Sequence, residues 1–452
     1  MARLLHDGWG AERLTARDKG IPQRAIGHTV DEFLATGPRL SEFWTPIIAL
    51  DDAAMRNNLA VMAAWTTARG LELMPHGKTT MAPALWQRQL DVGCPGITLA
   101  TMGQVRTART FGLDSVMLAN AVVDPRSLRW LAGELADRDF RFVSWADSLE
   151  TVDAMERALR EVGVPRRVDV CVELGAAGGR TGARSIDAAI EIGRRIAASD
   201  VLRLAGVAGY EGALGHDRSD AALAAVRAYL ADQLVVHDAL GDLYDEGDVF
   251  VTAGGSAYFD LVAEVYAPAI ARDSRTRFTL RSGAYIVHDD GFYRGISPLD
   301  ETYAGAVPGE GMLRSAMRGY ARVVSHPEPA LALLDGGKRD FPFDEGLPVV
   351  LGVAEDLGGA RASSRRAENS ALGGESAEIS PPNSEKSARQ GGASIPSMND
   401  QHTFLRDADV TIGDVVVLGL SHPCTAFDKW HFLPVVEGDG SDRIVELVRT
   451  FF

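Results

Sequence analysis

Eight short apolar runs, spaced about 30 residues apart as in successive βα units, constrain the fold of this chain more than any other feature. They are Leu71–Met74, Ile97–Ala100, Ser115–Ala119, Arg141–Trp145, Val168–Leu174, Leu204–Tyr210, Val249–Thr252 and Arg277–Leu280. Between them lie stretches with helical spacing, such as Asp147–Val162, Ser185–Ala198 and Asp220–Leu240. Asp147 and Ser185 suit helix N-caps. The alternation predicts an α/β fold, and eight such units close most economically into a (β/α)8 barrel. The rival, an open doubly wound sheet, usually carries an early glycine fingerprint, and none follows the first run here.

The flanks read differently. Thr45–Leu50 predicts a strand and Asp51–Arg69 a helix. After Leu280 the helical period fades into short strands at Arg318–Ser325, Leu331–Leu334, Leu347–Leu351 and Asp414–Leu418. The expected division is an N-terminal segment 1–50 that joins a β domain, a barrel over 51–285, and a mainly β second domain over 286–452. Residues 357–398 hold Ser-Ser-Arg-Arg, Gly-Gly-Glu-Ser, Pro-Pro-Asn-Ser and Arg-Gln-Gly-Gly, with almost no large apolar side chains. Such a segment buries too little surface to offset its ordering entropy. It reads as a disordered insertion within the β domain, a solvent-exposed loop without a role.

With 46% apolar and 24% charged residues over 452 positions, the composition is that of an ordinary globular protein. The net charge of −16 repels phosphate backbones and anionic lipids, so nucleic-acid and membrane partners are not expected. No apolar run is long enough to span a bilayer. The first ten residues lack the apolar core of a signal peptide. Cys94, Cys171 and Cys424 are too few and too scattered for a disulfide framework. Together these features point to the cytoplasm.

Lys78, in Met74-Pro75-His76-Gly77-Lys78-Thr79, lies just past the first barrel strand, on the rim where such barrels keep their chemistry. A lysine held there can form a Schiff base, with pyridoxal phosphate among the partners. The plain alternative is a lysine closing a strand end onto solvent. Val172 to Gly182 ends another strand in a glycine-rich turn that delivers Arg180, whose guanidinium suits a phenolate or phosphate oxygen. It reads equally as a flexible loop with a surface arginine. Tyr210, after the sixth strand, could face a planar ligand or simply pack. Gly255 and Ser256 follow the seventh strand, and Gly283 and Ala284 the eighth. Those two loops are the recurrent phosphate site of these barrels, and glycine amides with a hydroxyl suit a dianion. His422-Pro423-Cys424 follows the strand at Asp414–Leu418. Proline disfavours the α region for the residue before it, so His422 is expected to be extended, and positions i and i+2 then point the same way. A converging imidazole and thiolate suit zinc with open coordination positions. A core cysteine beside a capping histidine fits the same spacing.

Taken together these motifs resemble the D-serine dehydratase-like and D-threonine aldolase-like branch of the alanine-racemase (fold-type III) pyridoxal enzymes. The matching pieces are Pro75-His76-Gly77-Lys78-Thr79, Gly179-Arg180-Thr181-Gly182, Gly209-Tyr210-Glu211-Gly212, Gly254-Gly255-Ser256, Arg281 to Tyr285, and Ser421 to Trp430. They run from about Trp44 to Phe432, the insertion excepted. The resemblance implies pyridoxal 5'-phosphate bound to Lys78. Arg180 would contact the phenolic oxygen, Tyr210 would lie near the ring, and Gly255, Ser256, Gly283 and Ala284 would hold the phosphate. Arg281 would reach the ring. It also implies zinc on His422 and Cys424, Lys78 as the base at Cα of a small D-amino acid, and a homodimer. In this family dehydratases resemble His-x-Cys with zinc, and aldolases His-x-Asp with manganese or magnesium. Cys424 therefore implies a dehydratase that turns D-serine, or a related 3-hydroxy-D-amino acid, into a 2-oxo acid and ammonia. Retro-aldol cleavage of D-threonine to glycine and an aldehyde is the alternative within the family. A non-catalytic cofactor-binding protein is the alternative outside enzymology.

Overall fold

The first strand, β1 (Ile47–Asp51), lies outside the barrel, and a helix over Asp52–Thr67 leads from it into the first barrel strand. The barrel strands are β2 (Glu72–Leu73), β3 (Ile97–Leu99), β4 (Ser115–Ala121), β5 (Arg141–Ala146), β6 (Val168–Leu174), β7 (Leu202–Gly209), β8 (Val249–Ala253) and β9 (Thr276–Leu280). Each carries one of the eight expected runs. The computed structural model describes residues 4, 9–215, 217–300, 302, 311–358, 392–438 and 440–452. The parallel ladders run in the order β2-β9-β8-β7-β6-β5-β4-β3. A seam at the strand ends closes the ring between β2 and β3. There the Thr98 N–H donates to Pro75 O at 2.9 Å, and the Thr98 hydroxyl donates to Met74 O at 2.6 Å. The barrel is therefore filled rather than hollow: Met74, Met117, Val143, Trp145, Cys171, Ala205, Ala208 and Phe250 pack in one buried cluster.

Helix starts follow capping chemistry. Ser185 caps Ile186–Ala197 by accepting the Ala188 N–H, as expected. Asp147 is not a cap: Ser148 takes that place before Leu149–Val162. Asp147 instead accepts the Gly182 N–H at 3.2 Å, tying the arginine-bearing loop down. The two helices are joined by Glu156, whose side chain is 1% exposed and takes both Arg195 Nη atoms, at 2.7 and 2.6 Å. The Arg195 hydrogen bonds, outweighing the effect of burial, hold this carboxyl below the usual glutamate value. Its contribution is thus present above the unfolded-state pKa of about 4.3 and is lost as pH falls through the lower folded-state value. Glu156→Gln should cost about 1–3 kcal/mol of unfolding free energy at neutral pH. In denaturant melts the deficit should shrink toward pH 3, and a deficit independent of pH would contradict the assignment.

The remaining strands are β10 (Met317–Glu328), β11 (Leu331–Leu334), β12 (Val349–Ala354), β13 (Ser394–Met398), β14 (Thr403–Arg406), β15 (Val415–Gly419), β16 (Phe432–Gly438) and β17 (Ser441–Arg449). With β1 they form a second sheet in the order β13-β14-β11-β10-β1-β16-β17, with β15 laid between β10 and β12. β1 pairs antiparallel with β10 and parallel with β16, so the residues before the barrel share this sheet. The segment expected as a disordered insertion, 357–398, falls mostly at 359–391, outside the described residues. Its last part departs from expectation. Ser394–Met398 is a strand because its backbone pairs with Thr403–Arg406, and Ile395 and Met398 are buried. Among the described residues, no helix is long and apolar enough to cross a membrane.

Candidate active site

Lys78 sits in a single 3-10 turn, Gly77–Thr79, directly beyond the seam. Gly77 is needed there, since a Cβ would stand 2.5 Å from Ile97 Cγ2 and 2.7 Å from Trp86 Nε1. Among the described residues the half-buried Lys78 amine makes no hydrogen bond. Burial pushes its pKa down; the charges of Arg180 and Arg281 add to that, and Cys424 opposes it. Close by, His76 Nδ1 is buried without a partner. Its ring pKa is pushed well down, by burial first and then by Lys78 and Arg281.

The loops after the last two barrel strands close over this turn. His76 N–H donates to Arg281 O at 3.1 Å. A Cβ on Gly283 would fall 2.4 Å from His76 O, so only glycine allows the approach. The amide N–H groups of Gly283 and Ala284, and the amide and hydroxyl of Ser256, have no partner among the described residues. Gly255 differs from expectation: its N–H donates to Glu211 Oε1 at 2.7 Å, and the Gly254 N–H to Glu211 Oε2 at 2.9 Å. The Glu211 carboxylate thus occupies the anion position those two amides offer. Glu211 is fully buried.

Arg281 is buried, donates to Thr252 Oγ1 at 2.6 Å and to Gly209 O, and lies over Trp145 at 4.8 Å. It ties the ends of β7 and β8 together beside Trp145 of β5. Arg180 is exposed and stands 5.0 Å above the ring of half-buried Tyr210. Its loop is stapled by Arg184, which donates to the carbonyls of Ala176, Gly179, Arg180 and Thr181. Burial pushes the Tyr210 phenol up to about 12, so it is a neutral donor at neutral pH.

The turn after β15 supplies the last two groups. Cys424 Sγ lies 3.3 Å from Thr79 Oγ1, which sets it beside the lysine turn. His422 is not extended: φ is 51° and ψ 82°, in the left-handed region. The preference set by Pro423 is overridden because the His422 N–H donates to the buried carboxylate of Asp289 at 2.9 Å. Pro423–Thr425 is a 3-10 turn, so imidazole and thiol converge by tight turning rather than by strand alternation. Burial lowers the His422 pKa, but interactions with Cys424 and Asp344 outweigh it and raise it to about 9.

The residues present fit the expected groups. An uncommitted amine faces a neighbourhood of unengaged amide and hydroxyl donors, which suits a phosphorylated carbonyl compound such as pyridoxal phosphate. Nitrogen with sulfur is a donor set for zinc. Among the described residues no group of three or more His, Cys, Asp or Glu side chains could hold a metal. A metal here would rest on two protein donors and complete its shell with solvent or substrate. Glu211, Arg184, Asp289 and Asp344 were missed from sequence. Glu211 stood inside a quoted motif; the others carry no local signal.

Comparison with known proteins finds relatives in sequence and in fold. A profile described as "Putative serine dehydratase domain" matches residues 316–436. A D-threonine aldolase of Arthrobacter sp is 26% identical over 321 residues, covering 70% of this chain and 77% of that one. The solved D-threonine aldolase of Filomicrobium marinum superposes with a TM-score of 0.70 at 23% identity, covering 92% and 97% of the two chains. The D-threo-3-hydroxyaspartate dehydratase of Delftia sp. HT23 does so with a TM-score of 0.64 at 21% identity, covering 91% and 98%.

Proposed function

We infer the reaction from the family to which this chain belongs, the D-serine dehydratase-like and D-threonine aldolase-like branch of the alanine-racemase (fold-type III) pyridoxal enzymes. We read it as a lyase of 3-hydroxy-D-amino acids that uses pyridoxal phosphate and zinc and releases a 2-oxo acid and ammonia, with D-serine among its substrates. The observation that carries this reading is the second donor of the late turn: a thiol, Cys424, paired with His422 and set against the lysine turn through Thr79.

Bound pyridoxal phosphate would supply an electron sink for negative charge at Cα, and bound zinc a Lewis acid at the β-hydroxyl. Lys78 Nζ, whose neutral form burial favours, takes the proton from Cα. Ser256, Gly283 and Ala284 offer donors to a phosphate, while Gly255 has its N–H committed to Glu211. Arg180 and Tyr210 would flank the planar ring, the guanidinium being suited to a phenolate oxygen. His422 offers Nε2, because Nδ1 is engaged by Asp344. Lys78 hands the proton taken from Cα to the departing β-hydroxyl, which leaves as water, and the amino acid becomes an enamine. Tautomerisation to an imine and addition of one water give the 2-oxo acid and ammonia. A homodimer and cytoplasmic residence belong to the same proposal.

The aldolase reading is favoured by the names of the curated relatives, a D-threonine aldolase of Arthrobacter sp and 3-hydroxy-D-aspartate aldolases of Paracoccus denitrificans. D-threonine separates the two readings. The expected products are 2-oxobutanoate and ammonia in equal amounts, measured by a coupled dehydrogenase assay and ammonia detection. Glycine and acetaldehyde as the main products would replace this reading with the aldolase.

A further inference from the structure

His422 is held twice, and neither hold lies in its own motif. Asp289, 1% exposed, fixes the backbone. Besides the His422 N–H, its carboxylate accepts the Tyr293 N–H at 2.8 Å and the Gly291 N–H at 3.1 Å. Asp344, on the loop before β12 and 78 residues away in sequence, fixes the ring: its Oδ2 lies 2.7 Å from His422 Nδ1. Its other oxygen accepts the Thr425 hydroxyl at 2.6 Å. Thr425 itself sits in the turn that carries Cys424. One carboxylate therefore ties together the histidine ring and the backbone that carries the cysteine. Each of its oxygens is engaged in the turn that carries the two donors.

We propose that Asp344 is a positioning residue for metal binding: it engages Nδ1 of His422 and so turns Nε2 toward the side of Cys424 before a metal arrives. The proposal rests on the reading of His422 and Cys424 as metal ligands. An ionised carboxylate can only accept, so the hydrogen in the Asp344–His422 bond belongs to Nδ1. That leaves Nε2 as the ring atom open to a metal. The carboxylate also makes the imidazole a stronger base toward a cation, as carboxylate–histidine–metal arrangements do. The strained φ of His422 has the same outcome from the backbone side: the residue is held in a sparsely populated region by contacts that do not need the metal.

The test is zinc affinity of the full-length metal-stripped protein, measured by competition with a chromophoric chelator. Asp344→Ala should weaken zinc binding roughly 10- to 100-fold. Asp344→Asn keeps an acceptor oxygen for Nδ1–H and should lie between alanine and wild type. The melting temperature of the metal-free protein should be the same for all three, which separates positioning from folding. Zinc affinity within about twofold of wild type in Asp344→Ala, while His422→Ala loses it, overturns the proposal. A loss as complete as that of His422→Ala makes Asp344 a ligand and also overturns it. Wild-type affinity in His422→Ala would instead overturn the metal reading beneath it.

Discussion

Lys78→Ala is expected to abolish the visible absorption band of protein reconstituted with pyridoxal phosphate and to lower kcat/KM on D-serine beyond roughly 10²- to 10⁴-fold, the range lost with a positioned general base alone. The lysine carries two tasks in the proposed reaction, holding the cofactor and taking the Cα proton, so its removal should exceed either one. The fold should tolerate the change. The amine makes no hydrogen bond among the described residues, and the turn that bears it is held by backbone contacts and by the Trp86 indole N–H, which donates to Gly77 O at 3.2 Å. Circular dichroism and melting temperature should therefore stay near wild type. A folded Lys78→Ala protein that keeps the band and the activity would remove this residue from the reaction.

Stripping the metal is the second large effect expected. A Lewis acid at a leaving hydroxyl contributes several kcal/mol, so a chelator should lower oxo-acid release from D-serine by roughly 10²-fold or more. The cofactor band should survive. Lys78 hangs from the barrel seam, whereas His422 and Cys424 hang from the second sheet, and they meet through the side-chain contact of Thr79 with Cys424. Removing the metal leaves every barrel contact of the lysine turn in place. Cys424→Ala should reproduce the pattern, with the band retained and turnover lost, and added zinc should not restore it. Undiminished turnover after complete metal removal, verified by atomic absorption, would take zinc out of the mechanism.

Most of the barrel strands were legible because they are largely buried and so read as short, mainly apolar runs. Val168–Leu174, for instance, has six of its seven residues buried. The rim position of Lys78 followed from that count. What the sequence hid is non-local. The Asp344–His422 bond spans 78 residues, and a lone aspartate in a loop carries no period to betray it. Glu211 was in plain view, but its hold on the Gly254 and Gly255 amides depends on how two βα loops fold toward each other. The left-handed His422 ran against a sound local rule, because a buried carboxylate outweighed the steric preference set by the following proline. Ser394–Met398 was hidden by its composition: Ser-Ile-Pro-Ser-Met looks like linker, and only its partner strand makes it sheet.

The seam between β2 and β3 has a consequence for when the protein becomes competent. Beside it, β2 also meets β9, where Glu72 and Arg277 pair across 205 residues of chain. Contacts of that separation carry a large loop-closure cost and form late in folding. The lysine turn hangs from this junction, so the amine is among the last parts of the machinery to arrive. A chain with its helices built and most of its ladders zipped still has nothing to grip the cofactor. Cofactor uptake during refolding should therefore lag the recovery of helical signal, and the coloured protein is by construction the protein whose ring has shut.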